Sequence, residues 1–255
     1  MGKMPVLFVG HGSPMNAIED NEFSLRWHSL PELIPEPKAI LSISAHWYTD
    51  GTRISTAAEP KTIYDMYGFP KELYEVRYPV KGAPELARHT GGIISAAVAE
   101  DNTWGIDHGT WSVLHRMYPK ADIPVYQLSV DKNASPEQHM QIGKELASLR
   151  DDGVLIFASG NVVHNLALVD WEMPGGHSWA KIFDSFIKQK IAAKEYKAVL
   201  DYKQAGESAR LAFFSPDHFY PLLYTIGASA NEDKLTVFNE GCTLGALSMT
   251  SYLWG

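Results

Sequence analysis

Six short apolar runs, each closed off by turn residues, leave this chain few folds to choose from. They lie at Pro5–Val9, Ala39–Ser44, Pro124–Ser129, Val154–Ser159, Leu235–Phe238 and Gly245–Leu253. A strand with one wet face alternates apolar and polar residues. A run without that alternation is covered on both faces, as in a largely parallel sheet between two helical layers. Stretches with helical spacing fall between the runs. In "PELARHTGGIISAAVAE", Leu86, Ile93, Ile94, Ala97 and Val98 can share one helix face. "SPEQHMQIGKELASLR" opens with Ser135 as N-cap, Pro136 in the first turn and Glu137 behind it. This alternation predicts an α/β fold with a largely parallel, partly mixed central sheet flanked by helices on both faces. "KLTVFNEGCTLGALSMTSYLW" reads as two strands in succession, which predicts the mixed edge. Thr49–Gly82 reads as one long irregular loop, too rich in aromatics for disorder and therefore expected to be functional.

With 255 residues and no repeat, low-complexity tract or linker, a single domain spanning 1–255 is expected. A net charge of -8 without a Lys/Arg run argues against nucleic acid and anionic membrane as partners. "MGKMPVLF" is too short an apolar run for a signal peptide, and no segment reaches membrane-spanning length. The single cysteine, Cys242, rules out an internal disulfide and fits a reducing compartment, so a soluble cytoplasmic protein is expected. Self-association is left open.

The ten histidines are not equivalent. His11 and His46 each follow an apolar run directly, and His164 follows Val154–Ser159 through "GNVVHN". His108 sits in "WGIDHGTW" and His218 in "SPDHFYPLLY", where Ser215 or Asp217 can cap a helix begun by Pro216. Ligands of α/β sheets bind beyond the carboxyl ends of the strands. A lone buried histidine is more often a hydrogen-bonded packing residue, but three at strand ends point to one crevice. His28, His89, His115, His139 and His177 are assigned surface or packing roles. Neutral imidazoles bind divalent transition metals, and ligands drawn from scattered strands leave coordination positions open, as a catalytic metal requires. Neither Ser13 nor Ser159 lies in a G-x-S-x-G elbow, which weakens a serine-triad reading.

At these residues the sequence resembles a known family. "GHGSPM", "SAHW", "TIYDMYGFP", "DHGTW", "ASGNVVHN" and "HFYPLLY", in this order, look like the class III extradiol ring-cleaving dioxygenases, in the branch of the 4,5-DOPA type. The resemblance runs from about Met4 to the C-terminus. It implies metal ligation by His11 and His46, with His218 at the position where the wider superfamily has a glutamate. It implies an acid–base role for His164, which is also placed for a fourth metal ligand, and contact of His108 with a substrate hydroxyl or oxygen. The implied cofactor is one divalent metal ion per chain, Fe(II) for activity, with Zn(II) able to take the site. The implied substrates are O₂ and a catechol similar to DOPA, opened next to rather than between its hydroxyl-bearing carbons.

The chemistry of the residues is compatible with this. Three side chains on one metal face leave positions for both catechol oxygens and for O₂, and a histidine alongside can take and return a proton near neutral pH. Tyr64, Asp65, Tyr67 and Phe69 are the candidate substrate wall, combining ring stacking with a carboxylate aimed at an amine; the competing reading has Tyr67 and Phe69 pack the loop onto the core. Asp107 either orients His108 or serves as an N-cap. A three-histidine face also suits Zn(II) and an activated water, so a zinc-dependent hydrolase competes, as does an inactive metal-binding relative.

Overall fold

The computed structural model describes residues 3–255. Met1 and Gly2, the start of the stretch read for a leader, lie outside the described residues. The strands are β1 (Val6–Gly10), β2 (Ala39–Thr49), β3 (Thr52–Ile54), β4 (Val98–Glu100), β5 (Val125–Asp131), β6 (Val154–Gly160), β7 (Leu235–Phe238), β8 (Cys242–Thr243), β9 (Leu247–Ser248) and β10 (Ser251–Trp254). The helices are α1 (Glu22–Ser29), α2 (Lys71–Glu75), α3 (Pro84–Ile93), α4 (His108–Met117), α5 (Pro136–Leu146), α6 (Ser178–Ala192), α7 (Tyr196–Leu200), α8 (Glu207–Ala212) and α9 (Tyr220–Ala228). Eight of the described strands form one sheet in the order β4-β3-β5-β2-β6-β1-β10-β7, while β8 and β9 pair separately.

The centre of the sheet, β5-β2-β6-β1, is parallel throughout. Its strands are buried on both faces because successive side chains enter two different cores. Phe8, Leu41, Leu128 and Ile156 join α3, α5, α6 and α9 on one side. Leu7, Ile40, Val125 and Phe157 join Trp27 of α1 and Trp111 of α4 on the other. This two-sided cover is what the unalternating runs predicted. The mixed sheet edge also follows expectation, with β10 antiparallel to β1 and to β7, although the C-terminal stretch read as two strands holds four, β7 to β10.

Four expectations about elements need correction. The helix read through Val98 stops at Ile93, and Val98–Glu100 is the edge strand β4. That strand is half-exposed to exposed, so packing imposed no apolar pattern on it. The long loop contains β3 and the short helix α2, both too brief to set up a period. The run Gly245–Leu253 divides into β9 and β10, with Leu244 (φ 51°) and Gly245 (φ 74°) turning the chain just ahead of them. Finally, β2 does not end at Ser44 but continues through His46 to Thr49. Its register on β5 jumps from Ile43↔Leu128 to Tyr48↔Val130, so Ser44–Trp47 stand opposite a single β5 residue. Such a bulge re-aims side chains locally, and His46 lies in it.

Two caps behave as read. Ser135 closes a capping box with Gln138 at the start of α5, and the Asp107 side chain accepts from the Thr110 backbone N–H at the start of α4. One buried ion pair fixes the far side. Arg150, 1% exposed, donates from Nε to the Met4 carbonyl (2.6 Å) and from Nη1 to the Ala228 carbonyl (3.0 Å). The same guanidinium forks onto Asp233 at 2.8 and 2.9 Å. It thereby satisfies a terminal carbonyl of α9 and holds that helix against the entry to β1.

Candidate metal centre and active site

Three neighbouring parallel strands, β2, β6 and β1, end on the same edge of the sheet, and the histidines gather there. His11 follows Gly10 at the end of β1. His46 comes from the bulge of β2, where Gly109 lets α4 approach it: a Cβ on Gly109 would lie 2.8 Å from the His46 ring. His218 ends a short 3-10 turn, Pro216–His218, just ahead of α9. Ser215 stands before that turn without a side-chain capping bond. The turn packs directly on the end of β6, since a Cβ on Gly160 would lie 2.1 Å from the His218 carbonyl oxygen. Glycine is required there by close approach of backbone.

One ring nitrogen from each of His11, His46 and His218 falls in a group whose members all lie within 4.8 Å of one another. Their tautomers follow from the partners on the other nitrogen. The Ser159 hydroxyl donates its only proton to the Gly109 carbonyl, so His11 Nδ1–H must donate to Ser159 Oγ at 2.8 Å. His46 Nδ1–H donates to Asp65 Oδ2 at 3.1 Å, and His218 Nδ1–H to Asp217 Oδ2 at 2.5 Å. Each Nε2 is therefore left with a lone pair. Those of His11 and His46 face each other at 3.2 Å, and that of His218 is buried without a partner. Converging lone pairs with no protein donor are what a divalent cation requires, so these residues fit the metal implied by the sequence.

His108 and His164 complete the cluster. The His108 ring lies 4.0 Å from that of His46, centroid to centroid, and its Nδ1–H donates to Asp65 Oδ1 at 2.9 Å. His164 stacks flat on His218, with centroids 3.5 Å apart and planes within 3°. It stands outside the group of three converging nitrogens.

Residues 7–252 match the family of the catalytic LigB subunit of aromatic ring-opening dioxygenase. The chain belongs to that family. The extradiol resemblance read from the sequence is thereby borne out for this LigB-family chain. It is 41% identical over 255 residues to the 4,5-DOPA dioxygenase extradiol of Escherichia coli K12, covering 98% of this chain and 94% of that protein. It is 38% identical over 252 residues to the protein of the same description from Beta vulgaris, covering 96% and 94%. A crystal structure of an uncharacterized protein from Escherichia coli K12 shares its fold with a TM-score of 0.87 at 39% identity, covering 99% of this chain and all of the other.

The electrostatics of the LigB-family site favour neutral imidazoles. Burial holds His11 well below the ordinary histidine value, and the rings of His46, His218 and His108 push the same way. Burial also lowers His218 and His108, against the pull of Asp217 and Asp65 respectively, and places His164 well below the ordinary value. His46 is the exception: burial opposes it, but Asp65, Asp107 and Asp217 together raise it. Despite burial, hydrogen bonds from His108 and His46 hold Asp65 far down in the ionised form.

The wall residues of the LigB-family chain are placed unequally. Asp65 binds two histidines. Tyr64 and Phe69 are half-buried against the core behind α4, with the Tyr64 ring 5.8 Å from that of Trp111. Tyr67 is 92% exposed, so it does not pack the loop onto the core as Phe69 does. Asp107 is the α4 cap, also accepting from Ser44 Oγ and Trp104 Nε1, and Asp65 is the carboxylate on the His108 ring. Sequence reading missed the orienting roles of Ser159 and Asp217. Asp217 could have been found as the residue before His218, a candidate metal ligand; Ser159 carried a signal only through its place at the end of β6. The five other histidines are where they were assigned: His139, for one, is a buried packing residue bonded to the Tyr224 hydroxyl at 2.9 Å.

Proposed function

We propose that this chain is an Fe(II)-dependent extradiol dioxygenase that opens the ring of a catechol with a small side chain, similar to DOPA, next to its diol. The observation that carries the reading is the convergence of three Nε2 lone pairs, each fixed by an Nδ1–H bond to Ser159, Asp65 or Asp217. The DOPA-like substrate is taken from the names of the relatives. When bound, the metal would supply Lewis acidity and open positions for two adjacent oxygens and O₂.

The protein's own part is to hold reactants and move protons. His164 is the first choice as acid–base group: burial keeps it neutral at working pH, ready to accept a proton from a catechol hydroxyl. His108 is the second. Its Nδ1–H is committed to Asp65, so Nε2 is the atom that accepts a proton from, or hydrogen-bonds to, a substrate oxygen. Tyr64, Tyr67 and Phe69 form the substrate wall, Tyr67 being the ring with a free face. The same three nitrogens accept Zn(II), which such sites bind more tightly than Fe(II), so copurifying zinc would not identify the working metal. The chain acts as one catalytic domain over residues 1–255, and its lone buried cysteine suits a reducing compartment such as the cytoplasm. Among the described residues, no helix is long and apolar enough to cross a membrane.

A panel of catechols offered to the Fe(II)-loaded chain, with the mass and absorption of each product recorded, tests the reaction and its regiochemistry. Products heavier than substrate by two oxygen atoms support the reading. No turnover of any catechol, with ester or amide hydrolysis by the Zn(II) form, would replace it with a zinc-dependent hydrolase.

A further inference from the structure

Asp65 ties three things together. Its Oδ2 accepts from the ligand histidine His46 at 3.1 Å, and its Oδ1 accepts from both the ring Nδ1–H and the backbone N–H of His108 at 2.9 Å each. It also belongs to the loop of Tyr64, Tyr67 and Phe69. That loop is pinned just upstream, where Ile63 N–H donates to the Ile106 carbonyl at 2.8 Å and Trp111 Nε1–H donates to the Ile63 carbonyl at 2.8 Å. Downstream of Asp65 the chain emerges to solvent at Tyr67, and Gly68 turns it at a φ of 80°.

We propose that Asp65 is a positioning residue that couples the substrate loop to the metal, rather than a carboxylate that recognises a substrate amine. Three donors already hold its two oxygens, out of about four lone-pair directions. A cation on His46 Nε2 polarises the Nδ1–H on the opposite side of the ring and strengthens its bond to Asp65. Metal binding thereby tightens the loop and, by reciprocity, an ordered loop tightens the metal. The coupling rests on the reading that His11, His46 and His218 hold a metal; it does not depend on which reaction follows.

The geometry makes asparagine an informative replacement. An Asn at position 65 offers one acceptor oxygen, whereas His46 and His108 both need to donate to it. One of the two rings then faces an amide N–H₂ and must move its proton to Nε2, on the metal side.

The test uses the full-length chain with Zn(II) as probe and no turnover. Zinc affinity is read by competition with a chelating dye, and loop order by the rate of trypsin cleavage after Lys71 and Arg77, both exposed. In the natural chain, zinc is expected to slow both cleavages. Asp65→Asn is expected to bind zinc ~10–100-fold more weakly and to lose that protection at saturating zinc. Asp65→Glu, which keeps two acceptors, is expected to regain part of both. If zinc binds the natural chain without slowing cleavage, the coupling is overturned with no variant needed. Natural zinc affinity and protection in Asp65→Asn would overturn it equally. A chain that shows zinc-dependent protection yet opens no catechol would support the coupling and sink the dioxygenase reading.

Discussion

His11 Nε2 and His46 Nε2 face each other at 3.2 Å while the Nδ1–H of each ring is held elsewhere, by Ser159 and Asp65. Two lone pairs at that separation repel unless a proton or a cation lies between them. Zinc added to the metal-free chain is therefore expected to raise its stability by about 2.7 kcal/mol when free zinc is about 100 times the dissociation constant. His11→Ala and His218→Ala should each abolish most of that gain in a thermal-shift measurement. Equal stabilisation of the natural chain and both variants would place the metal elsewhere.

Asp217 does for His218 what Asp65 does for His46, through a 2.5 Å bond to Nδ1. Asp217→Asn should weaken metal binding by ~10–100-fold, the usual cost of losing a carboxylate behind a ligand histidine. Titration of both forms against a competing chelator gives the ratio. A ratio near one would mean that the buried ring holds its tautomer without help.

Gly160 admits the His218 segment to the end of β6, with 2.1 Å between a would-be Cβ and the His218 carbonyl. Gly160→Ala should cost about 1–3 kcal/mol from steric overpacking and weaken metal binding as His218 is displaced. Gly92→Ala, in α3 with open space around it, should be neutral or gain up to about 1 kcal/mol. Urea unfolding of the two variants separates site crowding from a general intolerance of added methyl groups.

His139 packs against the rings of Tyr220 and Tyr224 of α9, and burial pushes its pKa down from 6.5 to about 4. Between those two values the unfolded chain binds a proton that the folded chain does not. Stability must therefore fall as pH drops through that window, by about 3 kcal/mol in all at about 1.4 kcal/mol per unit. His139→Gln should remove about that much of the acid sensitivity between pH 6.5 and 4, read from urea midpoints across the range. An unchanged pH profile would assign the acid sensitivity to other groups.

The centre of the fold was legible because burial on both faces writes itself into a strand as an unbroken apolar run, as in β1, β2 and β6. The three-residue strands β3 and β4 were not: each is too short to set up a period, and β4, at the sheet edge, is half-exposed to exposed. For the site, the ends of β1, β2 and β6 announced His11, His46 and His164, and the family motifs added His108 and His218. What no motif conveyed was the set of partners on the far nitrogens. Asp65 was read as a wall residue because nothing in "TIYDMYGFP" reveals that its carboxylate turns inward onto two rings 19 and 43 positions away. Ser159 looked like a weak nucleophile candidate, although its proton is spent on the Gly109 carbonyl. Contacts at that sequence distance are fixed by sheet register, which a single sequence does not display.

The central claim is that this three-histidine face carries ring opening by O₂. The most direct test loads the chain anaerobically with Fe(II), adds a catechol such as DOPA, and admits ¹⁸O₂. The account predicts one O₂ consumed per ring opened, both labelled atoms in the initial product, and loss of turnover in His164→Ala with most of the metal retained. No oxygen uptake by the Fe(II)-loaded natural chain with any catechol would contradict it.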